Sequence, residues 1–66
     1  KKPMGTSFVN AGYTSEGQRV VLWRLGEYTY EIQSAVKALA NNSAESVFLL
    51  DVSYEEAMKK FKEYTK

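Results

Sequence analysis

The fold is decided by residues 46–64, which have the sequence SVFLLDVSYEEAMKKFKEY. The part from Ser46 to Val52 is apolar almost throughout, which predicts a β-strand. Ser53 is followed three residues later by Glu56, and this spacing is typical of the capping box that begins a helix. The stretch therefore predicts a strand that passes through a short turn into a C-terminal helix.

The predicted helix is amphipathic, with one apolar side. Its apolar residues recur every three or four positions, which places them on one stripe, and the remaining positions are largely charged. Acidic residues near its start and lysines toward its end also complement the helix dipole. We expect the stripe to pack on a sheet, with Tyr54, Met58 and Phe61 buried. The stripe consists of Tyr54, Ala57, Met58, Phe61 and Tyr64.

The first half of the chain predicts further strands joined by tight turns. One segment is rich in β-branched and aromatic residues, and another alternates apolar and polar residues with period two. Turn-forming residues at 14–18 separate the first predicted strand from the second. Gly26-Glu27 can close a two-residue hairpin between the second and third strands, in which Gly26 has a positive φ. The predicted strands are residues 6–13, 19–25 and 28–33.

Residues between the third and fourth strands predict a short helix over 35–40. Ile32, Ala35, Val36 and Leu39 stand at helical spacing, and Ser34 is a suitable N-cap. A longer helix that starts near residue 29 is the alternative. The expected fold is α+β: a mostly antiparallel sheet of three or four strands, packed by the C-terminal amphipathic helix, with the short helix before the last strand.

Composition limits how such a small chain is stabilised. The 66 residues include neither Cys nor His, which excludes disulfides and the common zinc sites, and the carboxylates are scattered. Small domains without a disulfide or a metal are commonly stabilised by association with another chain. We therefore expect no cofactor, and a homo-oligomer or a small subunit of a complex.

The ends of the chain and its location give weaker signals. Residues 1–5 predict a flexible arm ahead of a single domain over 6–66. The absence of Cys favours a reducing compartment such as the cytoplasm, and it also fits a cysteine-free extracellular or virion protein. No membrane-length apolar run is present. Lys1 is not preceded by an initiator Met, which fits proteolytic processing, a shortened chain or a start that lies further upstream.

Two predicted strands offer apolar side chains to both faces of the sheet, and this pattern predicts a binding surface. In the second strand, Val20 and Leu22 point to one face, whereas Val21 and Trp23 point to the other. One helix can cover only one face. The other face must be covered by residues 35–40, by the arm or by another protein chain. The predicted interface consists of Val21, Trp23 and Leu25.

Candidate catalytic residues have simpler explanations. Ser34 and Lys37 match S-x-x-K, but the further motifs of the enzymes that use it are absent. Asp51 follows an apolar strand, where a carboxylate can bind a cation, although a role in the following turn explains it as well. We expect no catalytic site and no enzymatic activity.

A nucleic-acid-binding accessory domain is the alternative function. Tyr28 and Tyr30 on one strand, Trp23 on its neighbour and nearby Arg19 and Arg24 could stack unpaired bases if they shared an exposed face. However, Tyr28, Tyr30 and Ile32 also form the apolar side of an alternating strand, which predicts that they are core. The net charge of +1 is low for a nucleic-acid binder, so we expect weak binding.

One resemblance bears on this alternative. The ending from Leu50 to Phe61 is similar in outline to the three-stranded-sheet-plus-helix arm domains of some phage-type integrases. The likeness covers the last third of the chain and consists of the capping box and the apolar spacing. The basic strand residues that those domains use on DNA are largely missing, so the resemblance assigns no functional residue.

Overall fold

A computed structural model of the chain describes residues 6–40 and 42–65. The described part forms a four-stranded antiparallel sheet in the order β1-β2-β3-β4, followed by one C-terminal helix, which confirms the predicted α+β class. The arm predicted for residues 1–5 lies outside the described residues. The elements are β1 (Ser7–Tyr13), β2 (Arg19–Arg24), β3 (Thr29–Ser34), β4 (Ser46–Leu50) and α1 (Tyr54–Tyr64).

Thr14 organises the turn between β1 and β2. Its N–H donates to the carbonyl of Gln18 at 2.9 Å, and its Oγ1 accepts from the N–H groups of Glu16 and Gln18, each at 3.2 Å. Gly17 has φ of 86°, a value that Gly reaches without steric strain. The predicted turn is therefore present, and the buried Thr14 holds it.

The turn between β2 and β3 is wider than predicted. The N–H groups of Leu25 and Gly26 both donate to the carbonyl of Thr29, at 2.8 and 3.2 Å, and Gly26 does not have the positive φ of a type II′ turn. The guanidinium of Arg24 donates to the carbonyls of Gly26 and of Glu27, which stabilises the wider loop. Tyr28 belongs to this loop and is 57% exposed, so the prediction that it is core was wrong.

The short helix predicted over 35–40 is wrong. Those residues form bends and the start of a small irregular hairpin in which Leu39 bridges Ala44. Each of these two N–H groups donates to the carbonyl of the other, at 3.0 and 3.1 Å, and Ala40 and Asn42 have φ of 52° and 65°. These bonds and left-handed residues are incompatible with a helix. The longer alternative is also wrong, because β3 occupies its start.

The core lies on one face of the sheet and includes two residues of α1. Leu39 belongs to it and is fully buried, so this part of the loop before β4 contributes apolar surface although it is not helical. Phe61 is buried from the helix side, whereas Met58 is half-buried and Tyr54 is 50% exposed. The expectation that Tyr54 is buried was wrong. The core consists of Val20, Leu22, Tyr30, Ile32, Leu39, Leu49, Ala57 and Phe61.

The predicted capping box begins α1. Ser53 Oγ accepts from the N–H of Glu56 at 3.1 Å, and the Glu56 carboxylate accepts from the N–H of Ser53 at 2.8 Å. Just ahead of it, Asp51 has φ of 59°, and Val52 donates its N–H to the carbonyl of Tyr28 at 3.1 Å. The left-handed residue turns the chain out of β4, and the cap then starts the helix.

Candidate interaction surface

The face of the sheet opposite the core is the candidate functional surface, and it is called the open face below. Residues that pair directly across antiparallel strands lie on the same face, and alternate residues of one strand lie on opposite faces. Because Val20 and Leu22 are buried in the core, Val21 and Trp23 lie on the open face. Trp23 pairs with Phe8 on β1 and with Glu31 on β3.

An apolar row crosses the open face. Glu31 pairs in turn with Phe48 on β4, so the row runs Phe8, Trp23, Glu31 and Phe48 across all four strands. Leu50 lies on the same face, two residues beyond Phe48. The rings of Phe8 and Trp23 meet edge to face, with centroids 6.0 Å apart and planes at 82°. With Tyr13, which pairs with Arg19 at the end of β1, four aromatic side chains and one leucine share this side of the sheet.

These side chains remain largely in water. Phe8 and Phe48 are each 59% exposed and Leu50 is 68% exposed, while Trp23 is half-buried beside Phe8. The segment 35–40 was one candidate to cover Trp23, but its Leu39 belongs to the core cluster that includes residues of α1. The described residues therefore leave an apolar patch on the open face.

Two charged side chains share the open face with this patch. Glu31 lies within the apolar row and is half-exposed. Arg19 lies on the same face because it is two residues from Val21 on β2, and it is exposed. Along the strand direction, the paired residues Val21 and Gln33 form a row that lies between the row containing Arg19 and the row containing Glu31. A carboxylate in an apolar row must keep its water or gain a charged or hydrogen-bonding partner when the face is covered.

The structure brings together two of the three predicted interface residues. Val21 and Trp23 share the open face, whereas Leu25 follows the end of β2 and lies half-buried in the loop. Sequence reasoning did not place Phe8 or Phe48 in this surface. The signal for Phe48 was the two-sided apolar pattern of β4, but Phe8 reaches Trp23 through a register shift between Phe8 and Asn10.

Catalytic candidates are not assembled into a site. Ser34 is buried and its Oγ accepts from the N–H of Val36 at 3.4 Å, while Lys37 is exposed. A shallow open depression adjoins Ser34 and is lined by residues of β2, β3 and the following loop. Within residues 6–40 and 42–65, no group of three or more Asp or Glu side chains could hold a metal ion. The lining residues are Arg19, Val21, Gln33, Ser34 and Ala35.

The aromatic cluster considered for base stacking is not assembled either. Tyr30 is fully buried in the core, Tyr28 lies in an exposed loop and Trp23 is on the other face of the sheet from Tyr30. The guanidinium of Arg24 lies over the Tyr30 ring, 5.8 Å from its centroid. These positions confirm that Tyr30 is a core residue rather than part of an exposed stacking platform.

In the part of the chain that the structure describes, no helix has the length and apolar character needed to cross a membrane. Comparison of the chain with protein-family models, with curated proteins and with solved structures gives no match.

Proposed function

We propose that this protein is a non-enzymatic assembly module that binds a second copy of itself through the open face. The observation that carries the proposal is the exposure of Phe8 beside Trp23, and of Phe48 and Leu50 on the other side of Glu31, on a face that no described residue covers. Contiguous apolar patches of this kind mark interaction sites more often than isolated exposed residues do. Large aromatic side chains are also the usual anchors of protein interfaces.

The size of the chain supports association. A domain of about 60 residues buries only about 60% of the surface that its unfolded chain exposes, so its own core is small. This chain has no Cys and no His with which to add a disulfide or a zinc site. Covering the apolar row with another chain would add the burial that the single core lacks, since each buried Å² of apolar surface stabilises by roughly 25 cal/mol.

The charges of the open face favour a second copy as the partner. Arg19 and Glu31 lie two rows apart on the open face, with the row of Val21 and Gln33 between them. Consider two copies that stack open face to open face, related by a two-fold axis along this central row. The row that contains Arg19 in one copy then lies over the row that contains Glu31 in the other. Arg19 of each copy then lies near Glu31 of the other. Such pairing supplies the partner that the Glu31 carboxylate needs on a desolvated face, and a net charge of only +1 gives little overall repulsion.

Sedimentation equilibrium with Trp23 and Tyr54 variants tests the proposal. We expect reversible self-association of the wild-type chain above about micromolar concentration, and Trp23→Ala should raise the dissociation constant at least about tenfold because it removes the central aromatic anchor. Tyr54→Ala is the matched control, since it removes an exposed aromatic side chain on α1 rather than on the open face. A wild-type chain that remains monomeric at millimolar concentration would contradict the proposal.

A charge exchange tests the identity of the partner. Arg19→Glu and Glu31→Arg should each weaken self-association, because each places like charges together in the two-fold arrangement. The double variant should recover much of the lost affinity, since it restores opposite charges with their positions exchanged. Additive losses in the double variant would show that the two side chains do not face each other across the interface.

A further inference from the structure

The backbone of β4 offers a second surface, which is separate from the open face. β4 is the last strand in the sheet, so one of its sides pairs with β3 and the other is an edge. The N–H of Ser34 donates to the carbonyl of Glu45 at 2.8 Å, which identifies this residue pair as hydrogen-bonded. Hydrogen-bonded and non-bonded pairs alternate along an antiparallel ladder. The N–H and C=O groups of Ser46, Phe48 and Leu50 therefore point away from β3, toward the edge.

The opposite edge of the sheet, at β1, is protected. The Thr14–Gln18 bond identifies that residue pair as hydrogen-bonded, and by the same alternation Gly12 and Val20 form the next hydrogen-bonded pair. Ala11 lies between such pairs, so its N–H points outward from β1. Asn10 Oδ1 accepts a hydrogen bond from this outward N–H at 2.8 Å. The pairing also shifts register between Phe8 and Asn10. Such irregularities are devices by which proteins prevent a sheet edge from pairing with another strand.

The β4 edge has none of these devices. Its five residues, SVFLL, include no charged residue and no proline, and its register with β3 is regular. Natural edge strands commonly carry a lysine, a proline or a bulge to prevent pairing. The two large side chains beside the outward backbone groups, Phe48 and Leu50, are also the most exposed apolar residues of the strand.

We infer that β4 pairs antiparallel with β4 of a second copy, with Phe48 opposite Phe48 and Ser46 opposite Leu50, so that two sheets become one continuous eight-stranded sheet. The inference rests on the proposal that the chain self-associates, but it uses the strand edge rather than the open face. In this register the outward groups of both strands form hydrogen-bonded pairs. The Phe48 side chains of the two copies also become direct cross-strand neighbours, about 5 Å apart at Cβ. A molecule that uses both surfaces assembles beyond a dimer.

The charges that flank β4 make the register testable. Continuing the pairing by one position brings Glu45 of one copy near Asp51 of the other, and both residues are exposed. The resulting repulsion is screened by salt. Glu45→Lys replaces it with attraction at both ends of the interface, so this variant should associate about two- to tenfold more tightly at low salt. Unchanged or weaker association of Glu45→Lys would rule out this register.

Amide hydrogen exchange tests the edge directly and without mutation. In a single copy, the N–H groups of Phe48 and Leu50 point away from β3 and should exchange fast, whereas that of Leu49 points toward β3 and should be protected. When the concentration is raised from micromolar to millimolar, exchange at Phe48 and Leu50 should slow by at least about tenfold if β4 pairs with β4. Rates at these two amides that do not change while the chain associates would overturn the inference and leave the proposed function intact.

A proline variant separates the edge from the open face. Ser46→Pro removes an outward N–H without removing a bond to β3, so it should weaken edge pairing by at least about tenfold while circular dichroism shows a folded chain. Ser46→Ala keeps the N–H and should associate like the wild type. In Trp23→Ala, the concentration-dependent protection of Phe48 and Leu50 should persist. Equal association of Ser46→Pro and Ser46→Ala would refute edge pairing. Loss of protection in Trp23→Ala would also refute it, since the edge would then have no pairing independent of the open face.

Discussion

Two aromatic side chains of α1 show how much position matters at the scale of a single residue. Phe61 and Tyr54 belong to one apolar stripe by sequence spacing, yet Phe61 is buried in the core and Tyr54 is 50% exposed. Tyr54 is the first residue of the helix, directly after the Ser53 cap, and it does not belong to the core cluster. Phe61 lies two turns further along, where its ring comes close to Gly12 of β1. A Cβ at Gly12 would lie 3.1 Å from Thr65, the residue that follows α1, so a larger side chain there would require Thr65 to shift.

Substitution of these two residues should give very different losses of stability. Phe61→Ala should lower the free energy of unfolding by roughly 3–5 kcal/mol, since it removes a buried ring and leaves a cavity. In so small a domain, this loss is enough to unfold much of the population. Tyr54→Ala should cost less than about 1 kcal/mol, as expected for an exposed position. Urea unfolding measures both values, and equal losses would show that the helix face is assigned wrongly.

At the scale of the elements, local hydrogen bonds decide where α1 begins. The two bonds between Ser53 and Glu56 occupy donors that a helix start otherwise leaves without partners. The left-handed backbone of Asp51 separates this cap from β4. At residues 35–40, local bonds instead prevent a helix, because Leu39 pairs with Ala44.

The cap has a measurable effect on stability. Ser53→Ala should lower the free energy of unfolding by about 1 kcal/mol, because the N–H of Glu56 loses its acceptor. Ser53→Asp is the matched control: it keeps an acceptor oxygen at the cap and should unfold near the wild-type midpoint. Chemical denaturation followed by circular dichroism measures both variants. A Ser53→Ala chain as stable as the Ser53→Asp chain would contradict this role of the hydroxyl.

At the scale of the whole molecule, charge is balanced rather than concentrated. The net charge is +1, and the lysines of α1 are interspersed with glutamates along the helix. Lys60 forms an ion pair with Glu63 at 3.5 Å, which further reduces the positive potential of the helix surface. The open face carries Glu31 within its apolar row. These features favour contacts with protein over contacts with phosphate.

Binding to generic DNA or RNA should therefore be weak and strongly dependent on salt. With a net charge of only +1, few phosphates can be neutralised and few counterions released. We expect any retention on heparin to be lost by about 0.15 M salt, and fluorescence anisotropy with a labelled oligonucleotide should give no sub-micromolar affinity at that salt. Tight binding under those conditions would instead support a nucleic-acid-binding accessory domain.

The sequence by itself determined the features that depend on neighbouring residues. Runs of apolar and β-branched residues located β2 and β4 to within two residues, and the spacing of Ser53 and Glu56 located the start of α1. The alternating direction of side chains along a strand placed Val21 and Trp23 on the face opposite Val20 and Leu22. These predictions succeed because side-chain direction along a strand and hydrogen bonds at a helix cap are set within a few residues.

Only the tertiary structure decided which distant residues meet. The row from Phe8 through Trp23 to Phe48 depends on the register of three strand pairs, one of which contains a shift that no local pattern marks. The burial of Leu39 also depends on distant segments, because it packs in one cluster with residues of the sheet and of α1. The outward direction of the β4 amides likewise follows from pairing with β3. Each of these outcomes is a contact between segments, and its free energy exists only when the sheet has assembled.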